Sequence, residues 1–71
     1  MKYFIIYKHY GPWEGSDMLA IFPTVEQAKR FVRAYEDITY PLTIGEYEMK
    51  RGELYSRTLF NYEDAVLEAV S

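Results

Sequence analysis

Residues 61–71, NYEDAVLEAVS, come last in the sequence, and their reading sets the fold. Asn61 is a good helix N-cap, and Glu63 and Asp64 fall in a first turn, where the helix dipole favours anions. Phe60 just before the cap can staple onto Ala65. The stretch is therefore expected to be a helix.

Immediately upstream, LTIGEYEMK (42–50) and ELYSRTLF (53–60) have the composition of two strands. Arg51-Gly52 is a plausible two-residue turn between them, though less favoured than Asn-Gly. Pairing outward from it sets Lys50 against Glu53, Met49 against Leu54, Glu48 against Tyr55, Tyr47 against Ser56 and Glu46 against Arg57. Directly opposed residues share a sheet face. Tyr47, Met49, Leu54 and Ser56 then form an apolar, core-like face. Glu46, Glu48, Lys50, Glu53, Tyr55 and Arg57 form the other, on which only Glu48 lacks a cationic partner. Each exposed pair is worth about 0.2–1 kcal/mol. This charge stripe is explained by cross-strand pairing and needs no ligand.

Towards the start, KYFIIYKHY (2–10) is an aromatic and β-branched run typical of a strand. Tyr3, Ile5, Tyr7 and His9 share one face; Phe4, Ile6, Lys8 and Tyr10 share the other. Apolar residues on both faces predict a central strand covered on both sides. GPWEGSD (11–17) is a loop and MLAIF (18–22) a second strand, antiparallel to the first. In PTVEQAKRFVRAYED, Thr24 and Gln27 make a capping box, and Val25, Ala28, Phe31, Val32 and Tyr35 form one apolar stripe. Glu26 can reach Arg30, and Arg33 can reach Asp37, at helical spacing. The helix should stop before Pro41, whose preceding residue disfavours the α region. The expected fold is α+β, a four-stranded antiparallel sheet in the order ββαββα with both helices on one face.

The chain's 71 residues make a single domain, 1–71, and one this small buries only about 60% of its unfolded surface. There is no cysteine, so neither disulfides nor thiolate metal sites support it. Eight Tyr, four Phe and one Trp exceed what a single sheet layer can hide, which predicts a contact with another chain, a homodimer above all. The run YFIIY is too short for a secretory signal, and no stretch approaches a membrane span, so a cytoplasmic location without membrane contact is expected.

Charge is unevenly spread. Residues 1–35 hold five Lys or Arg against three Asp or Glu, a balance of +2; residues 36–71 hold three against eight, a balance of −5. An acidic half repels nucleic acid and attracts basic proteins. The last helix holds Glu63, Asp64 and Glu68 with no cation, while Glu36 and Asp37 end the first helix, where the dipole does not favour them.

Catalytic chemistry is not expected. His9 is the single histidine, so no His pair can bind a metal, and no cofactor is implied. Ser16, Ser56 and Ser71 lack a nucleophile-elbow or base context, and there is no Gly-rich phosphate loop. Single-stranded nucleic acid needs aromatic platforms in a positive groove. Tyr3, Tyr7, Tyr47 and Tyr55 could supply platforms, but Lys29, Arg30 and Arg33 make only one small basic patch. Trp13 is either an exposed anchor or a lid over the sheet edge.

YFIIYKHY followed by MLAIFPTVEQAKRFV resembles a small bacterial and phage ββα-type domain. Its pattern is a Tyr/Val-rich strand ending in H-x-Y, then G-x-F-x-[ST]-x-E-x-A and a helix. Ala20 stands where that pattern has Gly, and the likeness covers about residues 3–50. It implies a fold and no activity. In general character the chain is also similar to phage host-takeover proteins, tiny, acidic and aromatic-rich, some of which mimic DNA and inhibit histone-like HU proteins. That likeness implies a non-enzymatic inhibitor in the host cytoplasm, occupying the DNA-binding surface of a basic host protein. Its partner-binding residues would be Glu36, Asp37, Glu48, Glu63, Asp64 and Glu68, with Tyr3, Tyr7, Trp13 and Tyr55 as dimer or aromatic contacts. A nucleic-acid-binding module built on the Tyr-lined sheet and the Lys29/Arg30/Arg33 patch, and a self-assembling structural domain, are the alternatives.

Overall fold

The computed structural model describes residues 1–37 and 39–70. The element order is β1 (Lys2–Gly11), β2 (Gly15–Phe22), α1 (Val25–Ala34), β3 (Leu42–Lys50), β4 (Glu53–Glu63) and β5 (Val66–Ala69). The strands form one five-stranded antiparallel sheet in the order β2-β1-β3-β4-β5. Among the described residues no helix is long and apolar enough to cross a membrane.

The order ββαββα is thus corrected to ββαβββ: among the described residues, five strands and one helix replace four strands and two helices. The expected last helix is the end of β4, a turn and β5. Asp64 and Ala65 both adopt positive φ, 52° and 63°, as a two-residue mirror-image turn requires, and the chain doubles back on itself. Tyr62 then faces Leu67, and Phe60 faces Ala69. Burial of Tyr62 in the main core and of part of Leu67 against it outweighs the helix propensity of Ala, Leu and Glu.

The first strand, the first helix and the β3–β4 hairpin fall close to where the sequence places them, but the expected loop 11–17 shrinks: Gly11 closes β1, and Gly15, Ser16 and Asp17 already belong to β2. The β3–β4 register joins Lys50 to Glu53, Met49 to Leu54, Glu48 to Tyr55, Tyr47 to Ser56 and Glu46 to Arg57. Arg51 and Gly52 form the turn, with φ of 51° and 80°. The Thr24 hydroxyl caps α1 by accepting from the Gln27 N–H at 3.3 Å. The Gln27 side chain accepts from that same hydroxyl at 3.0 Å, rather than returning to the cap's backbone. The helix stops at Ala34, so Asp37 lies beyond it, and the expected Arg33–Asp37 pair gives way to one between Lys8 and Asp37.

α1 covers one side of the sheet. Ala28 and Val32 meet Phe4, Ile6, Leu42, Ile44 and Tyr62 in the core, and Phe31 packs between Phe22 and Tyr35. Among the described residues the sheet's other side has no helix, so β1 is covered on one side and not two. The register corrects the expected core face as well. Glu46 lies opposite Phe4 and Glu48 opposite Lys2, which puts the charged hairpin face on the helix side, beyond the residues α1 covers. Tyr47, Met49, Leu54 and Ser56 lie on the helix-free side, with Met49 and Leu54 exposed.

Candidate functional site

The six carboxylates expected to bind a partner separate into three groups. Glu63, Asp64 and Glu68 gather on the β4–β5 hairpin, around a shallow hollow of about 300 Å³ completed by Asn61 and Val66. None of the three makes an ion pair among the described residues, and neither does Glu36. Glu48 pairs with Lys50 at 3.2 Å, so it does have the cation that the cross-strand reading denied it. Glu53 instead accepts from the Tyr55 hydroxyl at 2.7 Å. Glu46 sits between Lys2 at 3.7 Å and Arg57 at 3.6 Å.

Asp37 is engaged most firmly. Its Oδ2 lies 2.7 Å from Lys8 Nζ, and its Oδ1 accepts from the Thr39 N–H at 3.0 Å. Lys8 is buried because it follows Phe4 and Ile6 on the helix side of β1. Its ammonium is ringed by Tyr10, Tyr35 and Tyr40, with centroids 5.5–5.6 Å away, a cation–π arrangement. The Asp37 hydrogen bond holds the lysine's pKa above its ordinary value, against burial, which lowers it. The same bond, with those from Thr39, holds the Asp37 carboxyl well below the usual carboxylate range. This cage is filled by the chain's own lysine, and Asp37, although half-exposed, is already paired within the chain. Lys8 was detectable as a cation in phase with Phe4 and Ile6; Tyr40 gave no such signal.

On the helix-free side, the Tyr47 ring meets that of Tyr7 at a tilt of 52°, with centroids 6.5 Å apart, and lies over Gly45. A Cβ at Gly45 would come within 2.9 Å of the Tyr47 ring, so glycine leaves room for the ring over this strand. Burial and the Tyr7 hydroxyl raise the Tyr47 phenol's pKa. His9 joins two strands: Nδ1 lies 2.7 Å from Ser16 Oγ, and Nε2 lies 2.8 Å from Thr43 Oγ1. Ser16 thus has a base beside it, contrary to the sequence reading, and no local motif marks the pairing. The third member of the chain is a hydroxyl, however, where a catalytic triad has a carboxylate to stabilise an imidazolium. Ser56 lies on this same side, and Ser71 lies outside the described residues.

Lys29, Arg30 and Arg33 ride on α1, with Lys29 Nζ 4.5 Å above the Phe60 ring. They therefore sit across the sheet from Tyr3, Tyr7 and Tyr47 and cannot form one groove with them. Tyr55 is on the helix side with Lys2, Lys50 and Arg57, in an open hollow of about 680 Å³ whose charges are mixed. Trp13 is 94% exposed at the tip of the β1–β2 hairpin, so it is not a lid packed over the sheet edge. Among the described residues no group of three His, Asp or Glu could hold a metal ion. No protein-family model, curated protein or solved structure matches the chain, so the two likenesses drawn from the sequence rest on its residues alone.

Proposed function

We propose that the chain is a non-catalytic acidic binding protein that docks a basic partner through its β4–β5 hairpin. The observation that carries this reading is the gathering of Glu63, Asp64 and Glu68 on one hairpin with no ion pair among the described residues. Carboxylates exposed in this way attract cations over about 8–10 Å at physiological salt. The fully exposed Trp13 is an additional anchor of the kind that dominates protein interfaces. In the finer form of the proposal, the carboxylates stand in for DNA phosphates and occupy a DNA-binding surface, as a phage-type inhibitor acting in the host cytoplasm would. The opposed placement of the tyrosines and the α1 cations speaks against direct nucleic-acid binding.

The test is titration against a histone-like DNA-binding protein at several salt concentrations. Neutralising the hairpin (Glu63→Gln, Asp64→Asn, Glu68→Gln) should weaken binding by about tenfold or more, equivalent to roughly 1.4 kcal/mol, and flatten the salt dependence. Equal affinity and salt dependence in both proteins would refute the role of the hairpin.

A further inference from the structure

We propose that the helix-free face, from β2 across β1 and β3 to β4, packs against the same face of a second copy of this chain. The register places Tyr3, Ile5 and Tyr7 of β1, Met18 and Ile21 of β2, and Tyr47 and Met49 of β3 on that side, with Leu54 of β4. Met18, Ile21, Met49 and Leu54 are 50–63% exposed in the single chain. These side chains are contiguous rather than scattered, and such a patch marks an interaction surface.

Charge identifies the occupant. Charged residues make up 27% of the chain, yet from β2 to Asn61 of β4 this face carries no Lys, Arg, Asp or Glu. In a two-fold interface each residue near the axis meets its own equivalent or a close neighbour, so any charge there would oppose its like. A neutral face escapes that penalty, whereas a face for a basic partner would carry carboxylates for steering. Shape is compatible, because the Tyr47 ring lies over Gly45 and sheets pack face to face at about 10 Å.

Area agrees as well. Four strands spaced about 4.8 Å apart and about eight residues long present roughly 500 Å² per copy, so two copies bury about 1,000 Å², the size at which a specific interface begins. With the axis over β1 and β3, Glu63 and Glu68 stay at the outer borders, away from the partner's acids. The proposal is independent of the basic partner inferred above.

Sedimentation equilibrium from about 1 to 500 µM tests it. The weight-average mass should climb from 8.5 kDa towards twice that value. Met18→Lys and Leu54→Lys alter side chains that are exposed in the monomer, so each variant should keep the wild-type circular dichroism spectrum. Each should raise the dissociation constant at least tenfold. In the wild type, the Met18 and Met49 methyl groups should become shielded from a soluble paramagnetic probe as concentration rises, a reading that needs no variant. A chain monomeric throughout, a dimer indifferent to both substitutions, or methyl groups still open to the probe in the dimer would overturn the proposal.

Discussion

At the scale of single residues, Lys8 shows how a buried charge is tolerated. Its ammonium sits among three tyrosine rings and is compensated by Asp37 at 2.7 Å. The linkage to pH has a definite sign. Asp37 titrates lower in the folded chain than the roughly 3.9 of a free aspartate, so its contribution is present above that value and is lost as pH falls through the acid range. Lys8 titrates higher than the roughly 10.4 of a free lysine, so its contribution holds below that value and is lost only in strong alkali. Asp37→Asn should lower the melting temperature at pH 7, and the gap from wild type should close as pH drops from about 5 towards 2. A gap of constant size in thermal melts across that range would remove Asp37 from the acid response. A second residue-scale outcome concerns Gly45. The added methyl of Gly45→Ala must push the Tyr47 ring off the sheet, returning its phenol pKa towards about 10, as NMR titration of the tyrosine ring would read.

At the scale of elements, the two hairpins explain why one half of the fold was legible and the other was not. Arg51-Gly52 carries a glycine where the turn needs positive φ, so the β3–β4 register follows from the sequence by counting outward. Asp64-Ala65 makes the same kind of turn without a glycine, and Ala65 at φ 63° gives no sequence signal of it. The helix-forming residues around it then dominate any local reading, although the pairing of Tyr62 with Leu67 decides the structure. An alanine in the left-handed region costs about 1–2 kcal/mol. Ala65→Gly should therefore stabilise the chain by roughly 1 kcal/mol, raising the melting temperature by about 4–8 °C. An unchanged or lower melting temperature would contradict the left-handed turn. The candidate acidic site was legible as a set of residues, since Glu63, Asp64 and Glu68 remain neighbours. Its geometry was not, because it depends on that hidden turn.

At the scale of the whole molecule, the open question is what stabilises a sheet covered on one side. Sequence alternation assigns side chains to two faces but does not say which face the lone helix takes. Here α1 covers Phe4, Ile6 and Ile44, and the uncharged face opposite is left in water. Burying that face in a dimer couples folding to association, because the unfolded chain cannot pair. Stability should then depend on chain concentration. A hundredfold rise above the dissociation constant supplies at most about 2.7 kcal/mol per binding event, shared between two chains. For a domain of this size, roughly 1 kcal/mol per chain moves the melting temperature by about 4–8 °C. Calorimetry of the wild type at about 5 and 500 µM should show an upward shift of that order, and Leu54→Lys should show none. A melting temperature independent of concentration in the wild type would mean that α1 and its single core carry the fold alone, and that the neutral face stays open to water.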